Sequence, residues 1–376
     1  MAIPTTPFSA QLLLIVSFVL LGLWSSTFKL AGNRWRFELF SFDFALGALI
    51  FALISAYTIG SFGADLGFAE HLMIASKTNQ VLAFIAGGLF ALGSILLVSG
   101  TALLGLSFAY AISTASALLV LAAVEFAGFR AMFLCVAIAA AILAIIFEST
   151  AARSAEATLP AASLPVMGRV RTSPSGKTIK PKHDVGGMRG SSKGIIVSIL
   201  AGFAFGAVVS PFNRSVFGAF GLGTFAGVVV FFVGALSATV VLSFFLINVP
   251  IYGGAISIRA YFRGTGGQHA LGFIGGALCA AGVLLLTLLN SYPTETRPDE
   301  LWLWSTGLGA GLLAIALGLS IWHELSQASG SAMRSLMIGA FFLVVAIGVF
   351  ALAMDKTAPL ASAHETGLLD DAQLAG

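Results

Sequence analysis

Ten apolar stretches of spanning length, interrupted once near the middle by a long basic segment, leave this chain few ways to fold. A hydrocarbon layer roughly 30 Å thick is crossed by about 20 apolar residues in helical form. Windows of that length place spans near 8–30, 39–61, 80–101, 103–124 and 130–148, then near 194–216, 223–248, 270–290, 302–321 and 335–354. With 58% hydrophobic residues and only 9% charged, against about 25% charged in an average soluble domain, the chain has more apolar surface than any water-soluble core absorbs. The expected fold is an all-α polytopic membrane protein of ten transmembrane helices, built as two inverted five-helix repeats. The N-terminal repeat covers 1–148, a basic flexible linker 149–193, the C-terminal repeat 194–356 and a polar tail 357–376.

The first span is expected to stay in the mature protein. Its amino end, MAIPTTPFSAQ, lacks a positive n-region, and its apolar run exceeds the roughly 7 to 15 residues of a cleaved signal. Loops alternate sides, so Lys and Arg counts set the orientation. One side holds Lys29, Arg34, Arg36, Arg153, Arg169, Arg171, Lys177, Lys180, Lys182, Arg189, Lys193, Arg259, Arg263 and Arg334, while the other holds Lys77, Arg130, Arg297 and Lys356. The bias predicts a cytoplasmic linker, termini outside and a plasma-membrane (bacterial inner-membrane) location.

The linker is rich in Ala, Ser, Pro and basic residues without apolar periodicity, as a tether would be. Ser175, Gly176, Lys177 and Thr178 echo the end of a phosphate-binding loop, but Arg171 stands where that motif needs glycine. A short match between the halves points to a repeat: Gly22, Ser26, Thr27, Phe28 and Lys29 fall over Gly206, Ser210, Pro211, Phe212 and Asn213 at a constant offset of 184 residues. An odd number of spans per half makes such a duplication inverted, with a substrate site between repeats near the midplane.

Polar groups inside the spans are few and therefore informative. Asn213 and Arg214 follow Pro211, which can break its helix, and an Arg at mid-membrane costs about 2.5 to 3.5 kcal/mol unless it meets a cavity or partner. Lys29 occupies the matching place in the first half. Both cations have the same competing reading, a side chain snorkelling to the interface. Asp43, within FSFDFALG, either takes up a proton or pairs with a cation such as Lys29; a carboxylate favoured by the helix dipole is the plainer possibility. Ser107, Tyr110, Ser113, Thr114 and Ser116 either line a pore or stitch helices together. Trp24 and Trp304 lie deep enough to wall a flat heterocycle, whereas Trp302 and Trp322 fit interfacial anchoring, and Glu125 fits a solvated loop. Gly pairs at spacing four, such as Gly202 with Gly206 and Gly272 with Gly276, allow close helix approach.

Catalytic constellations are missing from the sequence: His323 and Glu324 begin no HExxH, and Ser, His and Asp do not assemble at a recognisable spacing. No enzyme activity, cofactor, metal or nucleic-acid partner is expected. Cys135 and Cys279 lie inside spans, where thiols act as small hydrophobes.

The stretch WSSTFKLAGNRWRFELFSFDFALG, the SPFN of the sixth span and the segment IYGGAISIRAYFRGTGGQHALGFIGGALCAAG resemble bacterial relatives of the ureide permeases, within the drug/metabolite transporter superfamily. The resemblance runs over most of the chain. It implies ten helices in two inverted repeats around a cytoplasmic loop, and transport of oxo-nitrogen heterocycles such as allantoin or uracil with protons. Span 4 is less punctuated by glycine than that family's pattern, and the linker is shorter than in plant members.

Together these readings give a secondary carrier of small polar metabolites working by alternating access in lipid. Trp24, Lys29, Ser107, Tyr110, Asn213 and Arg214 would contact substrate, and Asp43 would couple protons. A sugar or other metabolite exporter of the same superfamily, and a non-transporting scaffold or sensor docked through the basic linker, stay open beside it.

Overall fold

The computed structural model describes residues 6–32, 35–61, 66–124, 131–158, 190–292, 300–326 and 329–354, without the side chains of 158, 190, 300–302 and 304. Among them run α1 (Pro7–Ala31), α2 (Phe37–Tyr57), α3 (Phe68–Ile74), α4 (Lys77–Leu104), α5 (Leu106–Val124), α6 (Ala131–Thr158), α7 (Gly190–Phe217), α8 (Gly223–Asn248), α9 (Gly266–Asn290), α10 (Glu300–Ser320) and α11 (Gly330–Met354). Nine of these are long and apolar enough to cross a membrane, and α10 contains a shorter apolar stretch, Ser305–Ser320. The chain is thus a helical, multi-pass membrane protein. The short α3 and a 3-10 turn at Ile258–Arg263 were not anticipated.

Local chemistry sets the helix ends. Thr6 and Ser9 close a capping box with Pro7 at the first position of α1, the Ser76 hydroxyl accepts from the Asn79 N–H at 3.2 Å, and Thr265 with Gln268 caps α9. At Gly105 a φ of 95° lets α4 stop and α5 start one residue later, which explains how two spans share almost no loop. The linker is shorter than expected: 149–158 continue α6 and 190–193 open α7, because the run AARSAEAT is made largely of good helix formers. Residues 159–189, and with them the Gly176–Lys177 echo, lie outside the described residues, as do Glu125, Arg34 and the tail. Pro211 does not break α7, which continues to Phe217.

Eight helices close a ring: α1 packs on α9, α9 on α2, α2 on α8, α8 on α4, α4 on α7, α7 on α5, α5 on α10 and α10 back on α1. The pair α6 and α11 packs together outside it, against α5 and α10. Two of the crossings are tight and alike. A Cβ at Gly47 would overlap the Phe273 carbonyl and one at Gly276 the Phe44 carbonyl, so α2 and α9 meet backbone to backbone. Between α8 and α4, Gly234 meets the Phe84 carbonyl and Gly87 that of Phe231. Small residues at a crossing are how helices approach when lipid offers no hydrophobic drive.

Two faces result. Lys29, at the end of α1, meets Glu324 beyond α10 and the start of α5, and Gly194 of α7 touches Leu104; this is the linker face, where α6 ends and α7 begins. On the opposite face the Asn79 amide donates to the carbonyls of Ala219 and Phe220 at 2.9 Å.

Candidate functional site

A cavity of about 790 Å³ lies inside the ring and is lined by the opposite-face halves of α5, α7, α9 and α10 together with residues of α1, α4, α8 and α11. Its walls are mainly aromatic and aliphatic: Leu21, Phe90, Phe205, Phe212, Phe231 and Leu308 among others. Polar groups are Tyr110, Ser113, Thr114, Asn213, Thr287 and Asn290; among the described lining residues none carries a formal charge. Volume and character match a ligand site, which is typically about 300–1,000 Å³ and largely apolar with a few placed polar groups.

Trp24 forms the floor. It sits about 26 Å along α1 from Pro7 and about 10 Å from Ala31, at about 1.5 Å per residue. Its ring packs 5.0 Å from Phe44 and 6.0 Å from Tyr110. The Tyr110 hydroxyl is buried there without a hydrogen-bond partner. Below the floor, Ser25 and Thr27 are buried and return their hydroxyl protons to the Gly22 and Trp24 carbonyls, while the Ser26 hydroxyl between them is buried without a partner.

The linker face is closed by two polar clusters. In the first, Glu324 is paired with Lys29 and accepts from the backbone N–H groups of Leu106 at 2.6 Å and Ser107 at 2.8 Å, the first amides of α5. A carboxylate at the start of α5 also suits the helix dipole. The Lys29 ammonium lies 5.4 Å from the centroid of Trp322, which joins that ring to the closure. In the second, Arg36 pairs with fully buried Glu38 and donates to the carbonyls of Gly254 at 2.6 Å and Tyr252 at 3.0 Å, tying α2 to the chain after α8.

Beside them lies a third group. Asp43, fully buried about 9 Å into α2 at about 1.5 Å per residue, accepts from the Tyr261 hydroxyl at 2.5 Å and meets His269 Nδ1 at 2.9 Å. His269 Nε2 lies 3.2 Å from the Tyr261 carbonyl, which can only accept, so Nε2 carries a proton. Nδ1 then either donates to an ionised Asp43 or accepts from a protonated one: one proton is shared between them. Burial and then the Asp43 carboxylate push the Tyr261 phenol up, and it stays a donor through the physiological range.

The expected contacts therefore separate. Trp24, Tyr110 and Asn213 line the cavity. Lys29 is in the ion pair with Glu324, and Ser107 is buried in the same closure, its hydroxyl donating to the Ile315 carbonyl at 3.2 Å. Arg214 is exposed, on the outside of α7, where a snorkelling side chain belongs. Asp43 meets Tyr261 and His269, and the cation expected for it, Lys29, is taken by Glu324. Trp304's side chain lies outside the described residues. Four groups escaped the sequence reading: Glu324, considered only as part of a failed zinc motif, and Glu38, Tyr261 and His269. A cation in the first span with no acid in that same span was the one available hint. The chain matches no known family, curated protein or solved structure.

Proposed function

We propose that the chain is a secondary carrier that exposes one central cavity alternately to the two membrane faces. The observation that carries this reading is the asymmetry: the cavity stops at Trp24, and the linker face beyond it is closed by separable ion pairs and hydrogen bonds. Inverted five-helix repeats, with ten spans, give the second state without new parts. Supporting that, exchanging each helix of one half for its counterpart (α1 with α7, α2 with α8, α4 with α9, α5 with α10, α6 with α11) carries the ring of packing contacts into itself. The reciprocal glycine crossings agree, since Gly47 and Gly234 are 187 residues apart and Gly87 and Gly276 are 189 apart.

Asp43, with the proton it shares with His269, is the coupling group, and Trp24, Tyr110 and Asn213 are the substrate contacts. The resemblance to ureide permeases makes uncharged oxo-nitrogen heterocycles the first substrates to test, and an uncharged, aromatic-walled site is hospitable to them. A carrier of a larger metabolite within the same superfamily is favoured by the volume, which exceeds what one heterocycle fills. The membrane is the bacterial inner membrane, with the basic linker in the cytoplasm.

The test is uptake of labelled allantoin and uracil into proteoliposomes under an imposed proton gradient. Uptake driven by the gradient in the native chain, with exchange surviving but accumulation lost in Asp43→Asn, is the expected result. No movement of either solute in either gradient direction withdraws the heterocycles.

A further inference from the structure

Glu148, near the middle of α6, is fully buried, and neither carboxyl oxygen has a hydrogen-bond partner. It points into the α6–α11 seam, where a Cβ at Gly339 would come within 2.7 Å of its Oε1 and 2.9 Å of its Cδ. The seam continues on either side through apolar contacts, with Phe147 stacked on Phe342 at 5.9 Å between centroids. Among the described residues no cation answers the carboxyl. On α6 Arg153 is exposed and Glu156 and Cys135 lie toward its two ends; on α11 the exposed Arg334 donates to the Gly330 carbonyl; on α5 Tyr110 faces the cavity; on α7 Lys193 and Arg214 sit at opposite ends; none bonds to Glu148.

We propose that Glu148 is a second proton-binding site, separate from the Asp43 cluster, occupied while α6 and α11 are packed and emptied only when they part. A carboxylate in hydrocarbon with no partner is among the costliest arrangements a membrane helix can hold, whereas the neutral acid loses only hydrogen bonds. Glycine at 339 gives the acid the room it needs, and the closeness that leaves no space for water also blocks ionisation in place. Losing the proton therefore requires the seam to open far enough for water or a cation to reach the carboxyl. The site takes a proton and stands on the α6–α11 geometry alone, independently of what the central cavity binds.

The test reads the seam directly. Ile146 and Phe341 are exposed at matching levels of α6 and α11, 52% and 63% respectively, and accept spin labels as cysteines once Cys135 and Cys279 are replaced. Distance distributions would be recorded in lipid nanodiscs from about pH 6 to about pH 10, a range that covers documented proton loss from buried carboxyl groups. A longer-distance population that grows at least about tenfold with pH in the native seam and stays flat in Glu148→Gln supports the site. An unchanged distance up to the alkaline end, or equal growth in both proteins, overturns it. Labelling of the native chain by carbodiimides serves if the Gln variant does not fold. The carboxyl adds O–H across one C=N bond with nothing leaving, so Glu148 should gain the whole lipophilic reagent as the seam transiently opens to lipid. Equal labelling by a charged, water-soluble carbodiimide means a solvated carboxylate and overturns the proposal.

Discussion

Removing Glu324 should unlatch the linker face. In Glu324→Ala, Lys29 loses its partner and the Leu106 and Ser107 amides, bonded at 2.6 and 2.8 Å, lose their acceptor. Hydrogen bonds to a charged group are worth about 1.5 to 3 kcal/mol each. The lower value applies here, because the Lys29 side chain is 22% exposed and water can replace part of what is lost. Two bonds at that value give about 3 kcal/mol, with nothing added for the partly solvated ion pair, and at about 1.4 kcal/mol per decade the open population rises about a hundredfold. Glu324→Gln keeps an acceptor for one amide and should show about half the effect in energy, about a tenfold rise. Ser25, 2% exposed and just beneath the Trp24 floor, reports this opening as a single cysteine reacting with a polar maleimide. The expected order of labelling rates is Ala, then Gln, then the native residue. Equal rates in all three, with folding verified by size-exclusion and thermal unfolding, would refute a latch at Glu324.

Other consequences are smaller in scope. Gly87→Ala and Gly276→Ala should each destabilise the detergent-solubilised protein by about 1 to 3 kcal/mol, since their new methyls meet backbone. Gly348→Ala, where a Cβ meets nothing within 4 Å, should be neutral or stabilise by up to about 1 kcal/mol, as read in thermal unfolding. At about pH 10, where a free phenol is half ionised, Tyr261 should still be protonated, so Tyr261→Phe removes no phenolate absorbance from the ultraviolet titration. Asn213→Ala should weaken binding of any transported solute in an equilibrium binding assay, while Arg214→Gln leaves both affinity and melting temperature within about 0.5 kcal/mol of native.

What the sequence exposed and what it hid divide along physical lines. Apolar length alone located every helix that lines the cavity, because burying backbone in hydrocarbon admits little besides helix. Tyr110 and Asn213 stood out as polar groups in apolar spans and Trp24 as an aromatic deeper than the interface, and all three line the cavity. Lys29 stood out for the same reason, but its role depends on Glu324, 295 residues away, and no periodicity reports such a pairing. His269 and Tyr261 fall at a helix start and in a 3-10 turn, where polar residues are ordinary, and only the fold brings them to Asp43. Glu148 was placed at the end of a span by the apolar count, whereas α6 runs on to Thr158 and leaves it inside the helix.

The ring of helices has a further consequence for how the molecule is held together. Around it, α9 sits between α1 and α2, and α4 between α7 and α8, so each half of the chain clasps a helix of the other. Cohesion is then a matter of interlocking and not of covalent continuity. A chain cut within 159–189 and supplied as two co-expressed fragments should reassemble into the same bundle, because the grip of one half on the other does not pass through the linker.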